Sequence, residues 1–323
     1  MTPQYRPGAD LERGCNEIIE QVQVARDCGF SVVLVGQHMV TGPQMQMLQV
    51  MPLMARLSAV SGDMLLGPGV LLLPMLHPVM VAEESATLDW LCGGNFVLAA
   101  GLGYRDEEFE SMGTPKRYRV SRLEESLAVV RALWSNERVT HHGKHFQLND
   151  VGASVRPKRK PNPPVWLGGD VEPAIRRAGR LADAWLGSPT ASRERIAQQF
   201  SFFQDAWRDA GRGEPPKCPI IRECFVGKSQ RQADEVSRGP LLFKYQAYAA
   251  WGHQDLKGIN VESEFESLCA ERFVVGDVAK AKDAVAQYAE ELPVSHLIFR
   301  VQWPGMEQAD ALDNIKRIGQ VIR

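Results

Sequence analysis

The chain has 323 residues, of which 44% are hydrophobic and 24% charged, and its formal net charge is −2. This composition is ordinary for a globular protein with a large core, and the near-neutral charge argues against nucleic acid or an anionic membrane as a partner. Six cysteines are scattered without a CxxC pair, so we expect free, largely buried thiols in a reducing cytoplasm rather than a disulfide framework.

Strand and helix patterns alternate along the chain, which predicts a parallel sheet covered by helices. Seven continuous apolar runs predict strands at 31–35, 64–73, 95–100, 165–168, 183–187, 219–226 and 296–302. Helices are predicted at 10–28, 44–61, 78–91, 121–134, 172–181, 193–210, 230–250, 277–291 and 306–322. The most apolar stretch, 64–81, contains glycine and three prolines, so we expect no membrane-spanning helix.

Barrels of alternating strands and helices reach this chain length as one domain, so residues 1–323 are predicted to form a single domain. Two stretches, 136–164 and 251–272, interrupt the alternation. In barrels of this type such insertions lie at the carboxyl-terminal face and shape the substrate pocket.

One strand ends at paired glycines. The apolar run 96–100 is followed by Gly101-Leu102-Gly103 and then by an acidic helix start at 106–110. A strand that stops at glycine lets a planar cofactor approach bare backbone.

A second unit of the same kind follows the strand at 165–168. Gly168, Gly169, Asp170 and Val171 precede the helix at 172–181, and free amides at a helix N-terminus bind anions such as phosphate. Asp170 could instead cap this helix, and both interpretations stay open from the residues alone.

His38 lies just past the carboxyl end of the strand at 31–35, the end at which barrel enzymes place their active sites. Histidine exchanges protons near neutral pH, so His38 is a candidate general acid or base. A loop histidine that only bonds the backbone is the alternative.

His38 and the two strand–glycine–helix units resemble the bacterial luciferase-like flavin oxidoreductases, and the resemblance runs over nearly the whole chain. It implies an α/β fold, the (β/α)8 TIM barrel, with insertions at the carboxyl-terminal face. The family opens with a strand before its first helix, but Pro3 and Pro7 disfavour a strand at Tyr5. We therefore expect a truncated or displaced first strand and a missing upstream segment.

The resemblance also implies site residues. His38 would lie beside the flavin ring and transfer protons, while Gln37 replaces an acid and Met39 replaces a frequent second histidine of the family. A non-proline cis peptide is expected at Gly69–Val70, and Ala100 stands where luciferase has a phosphate-binding arginine. Cofactor binding is assigned to Gly69, Val70, Ala100, Gly101, Gly103, Gly168, Gly169, Asp170 and Val171. The substrate pocket is assigned to Gln37, Met39, Gln302 and Trp303.

The implied activity is that of a flavin-dependent monooxygenase. A separate flavin reductase would supply reduced FMN, and dioxygen would oxidise a small organic substrate. The resemblance further implies a cytoplasmic homodimer. Two alternatives stay open, a deazaflavin-dependent hydride-transfer oxidoreductase and a non-catalytic flavin-binding barrel.

Two further groups of residues need an interpretation. His141, His142 and His145 lack a nearby carboxylate or thiol in the sequence, so no metal site is expected. Adjacent residues of a strand point to opposite faces, so Arg222 and Glu223 need separate partners. Arg300, inside the last strand, is expected to pair with an acid of a neighbouring element.

Overall fold

The structure, a computed structural model, describes Met1 and residues 3–322. Its strands are β1 Gln4–Tyr5, β2 Val32–Val35, β3 Gln46–Met47, β4 Leu65–Pro68, β5 Leu71–Leu72, β6 Leu98–Gly101, β7 Val139–His142, β8 Gln147–Val151, β9 Val165–Gly168, β10 Ala184–Leu186, β11 Cys218–Val226, β12 Val274–Gly276 and β13 Val294–Arg300. Its α-helices are α1 Leu11–Asp27, α2 Val50–Ser58, α3 Pro78–Leu91, α4 Asp106–Ser111, α5 Arg119–Ser135, α6 Glu172–Leu181, α7 Arg193–Asp209, α8 Gln230–Ala250, α9 Phe265–Arg272, α10 Val278–Glu291 and α11 Gln308–Val321.

The chain packs as two compact units. The middle unit comprises Ser31–Thr41 and Met47–Leu167, and the terminal unit comprises Met1–Phe30, Gly42–Gln46 and Gly168–Arg323.

Parallel strands form the core of the middle unit. β2 pairs with β4, β5 pairs with β6, and β6 pairs with β9 through Leu98↔Val165 and Ala100↔Leu167. Residues Leu98–Ala100 have no exposed surface, as expected for a strand covered on both faces. Because these strands are parallel, the segments that follow β2 and β6 emerge at the same edge.

In the terminal unit, β11 lies at the centre of the sheet. It pairs in parallel with β12 and with β13, and a bridge joins Ile220 to Gly187 after β10. Every residue of β11 is buried, whereas every residue of β13 is at least partly exposed. The side chain of Asn314 in α11 bonds the backbone of Cys224 and Val226, which fixes this helix against β11.

Besides β3, β7 and β8, two strands lie outside the seven predicted runs. β1 forms at Gln4–Tyr5 despite the neighbouring prolines, so the first strand is short rather than absent. Tyr5 is buried, and its hydroxyl donates to the Gly14 carbonyl at 3.0 Å. A Cβ on Gly14 would lie 2.7 Å from the Tyr5 ring, so glycine at 14 makes room for it. β12 is the other addition.

Two sequence predictions can be compared directly with the helices. The helix predicted from residue 44 begins at Val50, because Gln46–Met47 form β3 instead. No helix within the described residues is both long and apolar enough to cross a membrane.

Candidate active site

His38 follows β2 and faces a carboxylate from another element of the middle unit. Its Nδ1 lies 3.0 Å from Oε1 of Glu108 in α4, and the two side chains are 12% and 0% exposed. The Tyr104 ring meets the His38 ring edge to face, with centroids 5.8 Å apart. A buried carboxylate at one imidazole nitrogen orients the ring and selects its tautomer, which is how general acid–base histidines are prepared.

Glu108 also holds the backbone next to His38. Its Oε1 accepts a hydrogen bond from the Met39 amide at 2.9 Å. Arg105 donates to the Met39 carbonyl at 2.8 Å and lies 3.5 Å from Glu108. The other Glu108 oxygen, Oε2, is buried and has no hydrogen-bond partner among the described residues.

The acid that the sequence lacks at Gln37 is therefore supplied by Glu108. Gln37 has a different task, since its Oε1 accepts from the Leu72 amide at 2.8 Å and ties the segment after β2 to β5. Sequence reasoning missed Glu108 and Arg105, because acidic residues at 106–110 were interpreted only as a helix start. The signal available was the arginine directly ahead of three acids.

The predicted cis peptide between Gly69 and Val70 is present. A Cβ on Gly101 would lie 2.6 Å from Cγ2 of Val70, so glycine at 101 is required by this contact. Gly103 has a φ of +74°, which favours glycine, and its Cβ would lie 2.7 Å from Cε of Met75. Both glycines thus have packing reasons in addition to the predicted cofactor contact. Ala100 is buried in β6.

The Gly168–Val171 segment belongs to the terminal unit. The Gly169 carbonyl accepts from Trp185 Nε1 and the Asp170 carbonyl accepts from Gln199 Nε2, each at 2.8 Å. Val171, not Asp170, is the N-cap of α6, and no side chain caps this helix end. The alternative in which Asp170 caps the helix is therefore wrong.

The Asp170 side chain instead bonds the Ser188 side chain. Burial, and after it the charge of Asp255, raises the pKa of Asp170 to about 7. Its Oδ1 is buried and has no hydrogen-bond partner in the described part of the chain. Arg176, one turn into α6, bonds Glu172 at 2.7 Å.

A buried ionic cluster, which we call the Glu223 cluster, joins β11 to other elements of the terminal unit. Glu223 Oε1 accepts from Lys244 Nζ at 2.8 Å and from Arg300 Nη1 at 3.2 Å. Its Oε2 accepts from Trp303 Nε1. The predicted pairing of Arg300 with an acid of a neighbouring element is confirmed.

Arg222 has partners of its own. It donates to the Tyr288 hydroxyl at 2.7 Å and to the Ser188 carbonyl at 2.9 Å, so the prediction of separate partners for Arg222 and Glu223 is confirmed. Trp303 has no exposed surface, and Gln302 is 7% exposed. Trp303 is part of the Glu223 cluster, and the assignment of Gln302 and Trp303 to the substrate pocket stays a prediction.

The three histidines near residue 142 bond different partners. His141 Nε2 lies 3.2 Å from a Glu125 oxygen, and His145 Nε2 lies 2.7 Å from the Ser121 hydroxyl. His142 contacts Gln147. Among the described residues, no group of three or more His, Cys, Asp or Glu could hold a metal ion.

Comparison with known proteins places these features in a family. The family model described as luciferase-like monooxygenase matches residues 2–296. A curated relative, 4-hydroxyprotoasukamycin monooxygenase of Streptomyces nodosus subsp. asukaensis, is 29% identical over 239 residues, which are 70% of this chain and 64% of the relative. The chain spans about half the length of the curated relatives it matches, 44% and 64% for two of them.

Solved structures show the same fold at low identity. The oxygenating constituent of 3,6-diketocamphane monooxygenase from Pseudomonas putida, in complex with FMN, has a TM-score of 0.82 and 18% identity, covering 98% of this chain and 95% of that one. An F420-dependent secondary alcohol dehydrogenase, in complex with an F420-acetone adduct, has a TM-score of 0.79 and 18% identity, covering 96% and 95%. The predicted luciferase-like (β/α)8 barrel fold is confirmed.

The family match covers most of the chain, and the relatives include both monooxygenases and oxidoreductases that use F420, a deazaflavin. The non-proline cis peptide at Gly69–Val70 was predicted from the same resemblance and is present. The chain belongs to the luciferase-like monooxygenase family.

Proposed function

We propose that the protein is a flavin-dependent monooxygenase that uses reduced FMN and dioxygen to oxidise a small organic substrate. A separate flavin reductase supplies the reduced FMN. The observation that carries the proposal is the His38–Glu108 pair at the carboxyl end of β2. An FMN-bound monooxygenase of the same fold supports the choice of cofactor.

The residues of the middle unit fit such a cofactor. The mostly buried His38 follows β2, and Gly101 and Gly103 lie at and just beyond the end of β6. Glu108 of α4 contacts His38, and its Oε2 is buried with no hydrogen-bond partner among the described residues. The backbone at Gly69–Val70, Gly101 and Gly103 would hold the ring. Reduced flavin, when bound there, would supply the electrons for oxidation by dioxygen, with one oxygen atom going to the substrate and the other to water.

His38 has the proton-transfer role in this proposal. Its Nδ1 lies 3.0 Å from Glu108 Oε1, and the imidazole exchanges a proton with the bound group. Glu108 stabilises the charged form of the ring while it holds a proton. Arg105 and Glu108 together fix the Met39 backbone, which keeps the histidine in one place.

The proposal includes a homodimer. Met80, Trp90 and Leu91 of α3 are each more than half exposed, at 55%, 53% and 53%. Exposed apolar residues of this size on one helix are typical of a protein interface. Sedimentation velocity of the wild type and of a Trp90→Glu, Leu91→Glu variant tests this: the wild type should sediment as a dimer and the variant as a monomer.

The first experiment is an anaerobic titration of the purified protein with reduced FMN and, separately, with reduced F420. Bound samples are then mixed with aerated buffer. Tight binding of reduced FMN, with slower reoxidation of bound than of free flavin and oxidation of an added substrate, is the expected result.

The second candidate function is deazaflavin-dependent hydride transfer, which the F420-dependent relatives favour. Binding of reduced F420 alone, unaffected by air, would establish it in place of the monooxygenase. Binding of neither cofactor would favour a barrel without catalytic activity.

His38→Ala tests the role given to the histidine. We expect the Kd for reduced FMN to stay within about threefold and kcat to fall by about 100-fold, the size of a lost general acid–base. Loss of flavin binding with an unchanged rate per bound flavin would assign His38 to binding instead.

A further inference from the structure

Two acids of the terminal unit are joined through two hydroxyl groups. The Asp170 side chain bonds the side chain of Ser188, whose Oγ lies 2.7 Å from Thr190 Oγ1. The Thr190 hydroxyl in turn bonds the carboxylate of Asp255. We call these four residues the Asp170 relay. All four belong to the terminal unit, and the relay connects the segment ahead of α6 to the irregular segment between α8 and α9.

The relay contains three hydrogen bonds but only two hydroxyl hydrogens. A hydroxyl group has one hydrogen to donate, and an ionised carboxylate has none. If both acids were ionised, one of the three bonds would join two acceptors with no hydrogen between them. The third hydrogen therefore belongs to one of the two carboxyl groups, so the intact relay carries one carboxyl proton.

Asp170 is the acid that holds this proton. Thr190 donates to Asp255, so the hydrogens of the relay point from Asp170 towards Asp255. Burial, and after it the charge of Asp255, raises the pKa of Asp170 to about 7. The Asp170 Oδ1 atom is buried without a hydrogen-bond partner among the described residues, which costs less for a neutral carboxyl group than for a carboxylate.

Two arginines hold the backbone of the relay rather than its acids. Arg222 donates to the Ser188 carbonyl at 2.9 Å, and Arg272 donates to the Thr190 carbonyl at 2.6 Å. Neither bond depends on the protonation of a carboxyl group. The two hydroxyl residues are therefore expected to keep their places when the relay loses its proton.

Other charged and titratable groups also face the two acids. The charges of Arg195 and Arg300 lower the pKa of Asp170, but by less than burial raises it. His253 Nδ1 accepts a hydrogen bond from the Asp255 amide. The carboxyl proton therefore persists in the relay despite the nearby cations.

Asp255 lies in a short segment bounded by two glycines. Gly252 and Gly258 have φ values of +79° and +81°, which favour glycine, and nothing lies within 4 Å of a Cβ added to either. Between them, Leu256 is 2% exposed and packs in the hydrophobic core of the terminal unit. Asp255 provides a polar attachment through Thr190. Residues 252–258 thus have one attachment that does not titrate and one that does.

We propose that the Asp170 relay is a pH-sensitive latch on residues 252–258, closed while the relay holds its proton and loosened when that proton is lost. Loss of the proton leaves one hydrogen bond without a hydrogen and gives two carboxylates that repel each other. Asp255 is the end that moves, because it is partly exposed between two glycines, whereas Gln199 holds the Asp170 carbonyl. The latch does not rest on the proposed function.

Hydrogen exchange of residues 252–259 measures the opening. The Leu256 and Ile259 amides bond carbonyls within this segment and report on it. The closed form binds the proton more tightly than the open form, so it loses stability as pH rises towards 7. Exchange corrected for the intrinsic effect of pH should rise at least tenfold from pH 5 to pH 8. Exchange in β6 should stay slower at both pH values, which identifies the opening as local. A corrected rate that does not change with pH, or an equal rate in β6, would overturn the proposal.

Variants assign the effect to the relay. Asp170→Asn supplies the third hydrogen from its amide at every pH, so exchange of residues 252–259 should be slow and independent of pH. Thr190→Val keeps the shape but removes a hydroxyl, so exchange should already be fast at pH 5. Asp205→Asn, at a carboxylate that is 54% exposed, should keep the wild-type pH dependence. Wild-type pH dependence in Asp170→Asn would refute the latch, even if Thr190→Val did not fold.

Infrared difference spectra detect the proton itself. The wild type should show the carbonyl band of a protonated carboxyl group at pH 5 that weakens by pH 8. This band should be missing from Asp170→Asn and present in Asp205→Asn. Identical carboxyl bands in Asp170→Asn and the wild type at pH 5 would mean that Asp170 is ionised in the closed form, which contradicts the count of hydrogens.

Discussion

Glu108 contacts three groups with one oxygen, since Oε1 accepts from the Met39 amide, lies 3.5 Å from Arg105 Nη1 and faces the His38 ring. A glutamine at this position keeps the size of the side chain and one acceptor but removes the charge. The contact with Met39 is therefore separable from the electrostatic support of the imidazole. This separation makes Glu108 the most informative single position of the middle unit.

Glu108→Gln is expected to lower kcat by about 10–100-fold, while KM for the substrate and Kd for reduced flavin change little, because a neutral amide does not stabilise a charged imidazole. Steady-state kinetics and flavin titration measure the two effects separately. Glu110→Gln, on the exposed side of the same helix, is the matched control. Equal losses in both variants would mean that α4 as a whole, rather than the acid, matters.

Asp170 predicts a pH-dependent stability. Its pKa rises from 3.8 to about 7 on folding, so the folded state retains a proton that the unfolded state releases between these values. Stability therefore falls as pH rises from 4 to 7 and stays reduced above 7. Asp170→Asn removes this titration and should be more stable than the wild type by up to about 4 kcal/mol at pH 8, with little difference at pH 4.

Urea unfolding at both pH values measures this difference. Asp205→Asn, at a carboxylate that is 54% exposed, is the control and should show no such pH dependence. A constant difference between Asp170→Asn and the wild type across this range would contradict the burial of the ionised group.

At the scale of elements, the position of the segment ahead of α6 depends on how closely α6 packs on α7. A Cβ on Gly179 would lie 2.7 Å from the Phe203 carbonyl oxygen and 2.9 Å from Cβ of Ala206. Only glycine allows this approach between the two helices. The same packing sets the position of the segment ahead of α6, because Gln199 of α7 bonds the Asp170 carbonyl.

Gly179→Ala should destabilise the protein by about 1–3 kcal/mol, because overpacking exceeds the gain in helix propensity. Gly239→Ala in α8 is the contrasting control, since nothing lies within 4 Å of its added Cβ. That variant should be neutral or more stable by up to about 1 kcal/mol. Thermal unfolding distinguishes them, and an equal response at the two positions would show that close helix packing is not the cause.

The sequence predicted elements whose signal is local. Continuous apolar runs located β2, β6, β9, β10, β11 and β13 within a few residues. β1 was not expected, because its two residues are stabilised by contact with Gly14 rather than by their own pattern. β12 follows a polar insertion and is three residues long, which is too few to show a periodic hydrophobic pattern.

The candidate site likewise contains residues that the local sequence predicted and contacts that only the tertiary structure shows. His38 and the glycines after β6 follow directly from the ends of strands, so their sequence positions were informative. The partnership of His38 with Glu108 joins residues 70 positions apart, and nothing local to either residue encodes it. The sharing of Glu223 between Lys244 and Arg300 is likewise a tertiary contact.

For the whole molecule, all six cysteines are free thiols, as the sequence predicted. Burial raises the pKa of Cys92 to about 11 and those of Cys218 and Cys269 to about 12. Cys224 is buried, and its pKa is raised well above 9. A thiol reacts as its thiolate, so these four are protected at neutral pH.

Ellman's reagent at pH 8 is therefore expected to react rapidly with no more than two thiols of the native protein, Cys15 and Cys28, which are partly exposed. Cys269 is also partly exposed, but its raised pKa of about 12 keeps it from reacting rapidly. The other four should react only after unfolding in guanidinium chloride. Rapid reaction of all six without denaturant would contradict the burial of these thiols. A protein alkylated only after unfolding provides the reference stoichiometry.

The His38–Glu108 contact has a consequence for inheritance and for engineering. A recombination breakpoint between residues 38 and 108 would separate His38 from the carboxylate that contacts it, although each parental fragment would keep its own elements intact. Exchange of short loops among related barrels would move the histidine without its carboxylate. Functional chimaeras should accordingly take residues 38 and 108 from the same parent. The two positions are therefore expected to be inherited together rather than independently.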